Sequence, residues 1–418
     1  MMALEISTPD LPDLIKPGMV VYVGGSTGEP KGLVKLLQEC GGSFADVGFI
    51  QQPIGAVNTT DLSAIGVHGR QQTFFMTPAL SEGLGAGRVK FTPMHMRSIF
   101  DYLNHAKIDV ALLLAAKDQQ GVLRYGPCVD YLDAVLRQAA HVVVEVSDQF
   151  VAPAGAPPVA DSAHYIYYSD ETRPLFPVVT IDETSRTIGH HIAALINDGD
   201  CLQTGIGAVP AAILASLGDR NDLGFHGGLI DDGVASLIRA GNINGAHKSL
   251  DKGKHITGMA LGSADLLDWL SGEPDVIFRS ADYTHEASVI RELQQFVSVN
   301  SAVEVDLFGQ VNAEVAGGRQ ISGTGGAVDF MRAAKMSQGG RSIVAMSATA
   351  RRGSVSRIVP KAEMVTALRT DVDIVVTEFG VAAIKDSAYD ERAEALISIS
   401  HPDFRDQLRD SWRAMRGF

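Results

Sequence analysis

Short runs of apolar, β-branched residues recur along the chain and alternate with stretches whose apolar positions repeat at helical spacing. The runs at residues 20–23, 47–50, 110–114, 142–146, 343–346 and 374–377 predict strands. Residues 32–39, 130–139, 185–197, 211–217, 234–239 and 390–399 predict the helices between them. Continuous apolar strands separated by helices predict an α/β fold with mostly parallel sheets covered on both faces. Residues 148–178 hold Pro153, Pro157, Pro158, Pro174 and Pro177 and read as a linker, because such a stretch suits neither a central strand nor an unbroken helix. The expected domains are therefore 1–178 and 179–418.

The two halves share a local pattern. Residues 20–37 and 202–217 each run from a strand through a Gly-rich turn and a proline into an amphipathic helix. Pro30 and Pro210 are expected at the first helical position, where a missing N–H costs nothing. Two similar α/β domains follow from this repetition.

Composition narrows the classes of function. A net charge of −14 lacks the basic footprint of a nucleic-acid-binding protein. Glu5, Pro9, Asp10 and Pro12 interrupt the first dozen residues and spoil a secretory segment. Apolar runs such as 110–116 fall far short of the ~20 residues a membrane span needs. Cys40, Cys128 and Cys201 are too dispersed for a disulfide framework or a zinc site, which predicts a reducing, cytoplasmic setting. The adjacent His190 and His191 lack the spacing of a helical metal pair, so no metal is expected.

Chemistry is carried by glycine loops. Gly205, Ile206, Gly207, Ala208 and Val209 precede a helix, and the segment is neither a Walker loop nor a dinucleotide fingerprint. Glycines let the backbone approach a ligand, and the free N–H groups of a helix start suit a phosphate or a developing oxyanion. A second cluster, Ser322-Gly323-Thr324-Gly325-Gly326-Ala327, offers the other side of a binding crevice. Cys201, just before the first loop, reads as a small buried hydrophobe.

Longer blocks carry a resemblance. Val23-Gly24-Gly25-Ser26-Thr27-Gly28-Glu29-Pro30, residues 300–314, Ser356-Arg357-Ile358-Val359-Pro360, residues 377–382 and His401-Pro402-Asp403-Phe404 stand in one order along the chain. Together they resemble the acetyl-CoA hydrolase/transferase family, which includes 4-hydroxybutyrate and acetate CoA-transferases. The resemblance implies two CoA-transferase-like domains, related to ribose-phosphate isomerases. It also implies coenzyme A, as acyl-CoA, for substrate, and a homo-oligomer. It assigns Gly205, Ile206, Gly207, Ala208 and Val209 as backbone donors to the reacting oxyanions, with Gly325 and Gly326 in the second loop.

The chain departs from that family at its reacting centre. The turn His226-Gly227-Gly228 corresponds to the family's His-Thr-Glu, whose Glu becomes a glutamyl-CoA thioester; Gly228 stands in its place. Ala327 likewise replaces the family's Gln. The expectation is acyl-CoA chemistry without that intermediate, by hydrolysis or direct transfer to a bound acceptor. His226 and Asp231 would activate the nucleophile. Two alternatives stand beside it: a transferase using a displaced carboxylate from Asp231, Asp232 or Glu304, and a CoA-binding pseudoenzyme.

Overall fold

A computed structural model describes residues 4–6, 10–171, 175–177 and 179–416. Pro9, and Pro174 and Val178 of the expected linker, lie outside the described residues. The chain divides into two compact units, neither of them continuous. The first comprises Met1–Val178, Gly228–Asp232 and Ile256–Thr284; the second comprises Val179–Gly227, Gly233–His255 and His285–Phe418. A single cut at residue 178 therefore misses two later segments that belong with the first unit. No helix among the described residues is long and apolar enough to cross a membrane.

The first unit is built on β1 (Leu4–Glu5), β2 (Val20–Val23), β3 (Gly48–Ile50), β4 (Arg70–Thr73), β5 (Val89–Phe91), β6 (Ile108–Lys117), β7 (Leu123–Tyr125), β8 (Ala139–Ser147) and β9 (Tyr165–Ser169). Their order is β1-β9-β8-β6-β2-β3-β4-β5. Every neighbouring pair on this path is parallel, and β7 pairs antiparallel with β6. The central strands explain their apolar sequence: Val21, Val23, Val110, Leu112 and Val143 are all fully buried. Strand β9 falls inside the expected linker. It went unread because its Tyr-rich sequence is half polar, as suits a strand near the sheet edge.

In this sheet the chain steps one way from β2 to β5 and the other way from β6 to β8 and β9. Right-handed crossovers require the helices of the two runs to lie on opposite faces. A crevice opens at the carboxyl ends of β2 and β6, where the direction reverses.

The second unit repeats this arrangement with β10 (Cys201–Gln203), β11 (Gly224–Phe225), β12 (Phe296–Ser301), β13 (Arg341–Ala345), β14 (Ile374–Thr377) and β15 (Gly380–Ala383), in the order β11-β10-β12-β13-β14-β15. Only β15 is antiparallel to its neighbour. The direction reverses between β10 and β12. The helix Ala208–Ala215 leads outward to β11, and the helix Ala327–Met336 leads the opposite way to β13. Both helices start at the carboxyl edge of the sheet.

The prolines sit slightly away from their expected places. Pro30 is the N-cap of the helix Lys31–Glu39. Pro210 is the third residue of the helix Ala208–Ala215, with Gly207 as its N-cap. Both positions still belong to the first turn, whose N–H groups have no intrahelical acceptor, so proline is tolerated there.

At the start of β10, Asp200 is fully buried and pairs with Arg341 at the start of β13. Arg341 also donates to the Leu195 carbonyl at 3.0 Å, and Asp200 accepts the Asn197 N–H at 2.7 Å. Removing one partner of such a pair strands the other charge. Arg341→Ala should lower stability by about 3 kcal/mol in urea unfolding, the low end of the range for a buried pair because Arg341 is partly exposed.

Candidate functional site

In the second unit, the reversal point is marked by a buried amide pair. Asn300 Nδ2 donates to Gln203 Oε1 at 3.2 Å and to Ser298 Oγ at 2.8 Å, tying the carboxyl ends of β10 and β12 together. The loop leaving β10 turns through Gly207, whose φ of 120° excludes ordinary side chains. Gly205 and Gly207 face open space: a Cβ built on either meets nothing within 4 Å. Ile206 is 37% exposed. Ala208 and Val209 open the helix and present N–H groups at its start, whereas Pro210 presents none.

The second glycine loop belongs to the same sheet. Gly325 has a φ of 55°, and Gly326 caps the helix Ala327–Met336. Ser322 Oγ donates to the Ala313 carbonyl at 2.9 Å and fixes the loop's entry. Sheet topology thus brings Gly205–Val209 and Gly325–Gly326 to one edge of one sheet.

His226 follows β11 and is fully buried. Its N–H donates to the Leu202 carbonyl at 3.0 Å, and its ring packs edge to face on Phe296, with centroids 6.3 Å apart. Behind it, the buried Lys248 ammonium donates to the carbonyls of Phe225 at 3.1 Å and Lys254 at 2.8 Å. Burial holds the Lys248 pKa below its ordinary value. The chain then passes from the second unit to the first between Gly227 and Gly228.

Gly228 is buried, and its carbonyl accepts the N–H groups of Gly258 and Met259, both at 3.1 Å. These bonds open the parallel pairing of two short strands, Leu229–Ile230 and Met259–Ala260. Asp231 is partly exposed at the end of that ladder. Asp232 accepts from Ser263 through both oxygens, at 2.5 and 3.0 Å, and clips the turn after Ala260. Glu304 is likewise engaged, accepting from Asn312 Nδ2 at 3.0 Å and from the Glu363 N–H at 2.7 Å. Cys201 is 1% exposed and its thiol is pushed up to about 12 by burial, as suits a packing residue.

The reversal point of the first unit carries titratable groups to which the sequence pattern assigns no role. Residues 24–28 turn tightly over it. A Cβ on Gly25 would stand 2.0 Å from the Gln52 carbonyl oxygen, so only glycine fits. Below the loop, Gln51 Nε2 donates to Glu29 Oε2 at 2.9 Å and to the Gly24 carbonyl at 3.2 Å. Burial pushes the Glu29 carboxyl up to about 7, against the opposing pull of Gln51 and Asn58. A cavity of about 30 Å³ lies beside the loop, lined among others by Tyr22, Gly25, Gln52, Cys128 and Asp130.

The raised carboxyl of Glu29 makes stability depend on pH. Its folded pKa lies above the unfolded value of 4.5, so its contribution is fully present below about pH 4.5 and is lost as pH rises through 7. Glu29→Gln mimics the neutral acid. It should flatten thermal stability between pH 5 and 8 and exceed the wild type at pH 8 by up to ~3 kcal/mol, measured by calorimetry.

Comparison with known proteins converges on one family. Residues 5–156 match the acetyl-CoA hydrolase/transferase N-terminal domain and residues 262–412 match its C-terminal domain. The chain is 34% identical to a 4-hydroxybutyrate coenzyme A transferase of Clostridium kluyveri, over 94% of this chain and 93% of that protein. An acetyl-CoA hydrolase of Candida albicans is 29% identical, over 56% of this chain and 46% of that protein. The crystal structure of RipA from Yersinia pestis superposes with a TM-score of 0.90 at 29% identity, covering 99% of this chain and 97% of that one. A 4-hydroxybutyrate CoA-transferase from Porphyromonas gingivalis superposes at 0.79 with 31% identity, covering 97% and 96%.

Proposed function

The chain belongs to the acetyl-CoA hydrolase/transferase family, and from that premise we propose that it processes acyl-CoA thioesters without the family's usual glutamyl-CoA intermediate. One observation carries this reading. Position 228, where the family pattern puts the nucleophilic Glu, is a buried glycine whose carbonyl is tied to Gly258 and Met259. No side chain exists there to form an anhydride or to hold CoA.

The backbone part of the machinery needs no side chain. In this reading the thioester carbonyl lies against the N–H groups of Ala208 and Val209, in the open space beside Gly205 and Gly207. Gly325 and Gly326 border the same crevice and admit the ligand closely. Those donors stabilise the oxyanion as a nucleophile attacks the acyl carbon. The acyl–sulfur bond then breaks and CoA leaves as its thiol. Water as nucleophile gives the free acid; another bound acceptor gives an acyl-transfer product. Asp231 is partly exposed, whereas His226 is fully buried. The buried His226 holds the turn before Gly228 in place. The enzyme would act in the cytoplasm as a homo-oligomer.

The displaced-carboxylate alternative draws little support from Asp232 and Glu304, because both already serve as acceptors within their own loops. A pseudoenzyme is the outcome if no acyl-CoA is consumed.

The expected result with a panel of acyl-CoAs is release of free CoA, with no CoA-sized adduct on the protein and CoA transfer to acetate near background. Gly228→Glu, alone or with Ala327→Gln, should raise transfer to acetate by about tenfold or more if the buried site accepts the side chain. A CoA adduct on unaltered protein, seen by intact mass, would overturn the reading.

A further inference from the structure

The loss of a nucleophile at position 228 directs attention to its neighbours within the first unit. Cys128 forms an antiparallel bridge with Met259, and Met259 pairs on its other side with Leu229. Cys128 thus stands two strand spacings, about 10 Å, from the start of the strand that Gly228 leads. The bridge is bounded by two main-chain hydrogen bonds, Val129 N–H to the Gly258 carbonyl at 2.9 Å and Ala260 N–H to the Pro127 carbonyl at 2.8 Å.

The thiol is not an isolated cysteine. Cys128 Sγ donates to Asp130 Oδ2 at 3.5 Å. Burial, and next the charge of Asp130, push the Cys128 thiol well above its ordinary value. Asp130 is 3% exposed, and its second oxygen, Oδ1, has no hydrogen-bond partner. That oxygen lies where a Cβ on Gly258 would stand, 2.1 Å away, and the Gly228 carbonyl lies 3.1 Å from the same point. The carboxylate is therefore laid against the backbone next to position 228. Both side chains line the cavity of about 30 Å³ under the residue 24–28 loop. A water molecule needs roughly 10–15 Å³ by the same measure, so the space suits a small group.

Resting on the acyl-CoA reading above, we propose that Cys128 is an acyl-accepting nucleophile for short-chain acyl thioesters, with Asp130 as the base that takes its proton. Cys128 Sγ attacks the thioester carbon while its proton passes to Asp130 Oδ2. The bond from the acyl carbon to the CoA sulfur breaks, and the CoA thiolate takes the proton from Asp130 and leaves as free CoA. An acyl-Cys128 thioester remains. Water or another acceptor then attacks it, gives a proton to Asp130, and the proton returns to the Cys128 sulfur as the acyl product departs. Thioester exchange of this kind needs no oxidant or metal, and it replaces the family's carboxylate carrier with a sulfur carrier. Burial raises the Asp130 carboxyl to about 7, which makes its carboxylate a stronger base than an ordinary one.

The test is rapid acid quench of the intact wild-type protein after mixing with acetyl-, butyryl- and hexanoyl-CoA, followed by mass analysis and peptide mapping. The expected result is a mass gain equal to the acyl group, mapped to Cys128, removed by hydroxylamine and largest for the shorter chains. Cys128→Ala should abolish the adduct, and Asp130→Asn should slow its formation about 100-fold or more. Release of CoA from wild-type protein with no acyl adduct on Cys128 overturns this inference and leaves the acyl-CoA reading standing. Absence of any CoA release overturns both.

Discussion

A right-handed crossover can carry the chain in only one direction across each face of a parallel sheet. Both units reverse direction once, between β2 and β6 in the first and between β10 and β12 in the second. At each reversal the flanking helices part, and the carboxyl ends of two central strands are left uncovered. The glycine loops, Glu29, Cys128 and Asp130 stand at these reversals or beside the short ladder from Gly228 to Ala260. The handedness rule fixes where along each sheet these residues stand.

The two reversal points are finished differently. In the second unit, glycine leaves open space, with nothing near a Cβ at Gly205 or Gly207. In the first, glycine permits close approach: a Cβ on Gly25 would stand 2.0 Å from the Gln52 carbonyl oxygen, and one on Gly28 would stand 3.1 Å from Cys128. An open loop with free N–H groups is suited to receive a ligand's oxygen. A closed loop shields what lies beneath it from water, and the buried carboxyls of Glu29 and Asp130 are raised for that reason. One unit is thus equipped with fixed dipoles and the other with movable protons.

Much of this was legible along the chain. Strands such as residues 20–23 and 374–377 were marked by unbroken apolar runs, and helices by their spacing, because local pattern reports local burial. Pro210 was displaced by two positions because any first-turn site tolerates it. Strand β9 was hidden by its polar tyrosines and the prolines before it. The return of residues 228–232 and 256–284 to the first unit could not be read at all, since strand partners are distant in sequence. The pairing of Cys128 with Asp130 went unmarked for a related reason. A Cys-X-Asp spacing is unremarkable, and the groups gain meaning only when β7, the following bridge and Gly258 close around them.

Gly228 and Gly258 are joined through one main-chain contact within the first unit. Gly258 must be glycine because Asp130 Oδ1 occupies the place of its side chain. Its N–H is bonded to the Gly228 carbonyl, so the carboxylate and the turn after His226 share one small backbone scaffold. That scaffold carries the Asp130 carboxylate, which accepts the hydrogen bond of the Cys128 thiol at 3.5 Å.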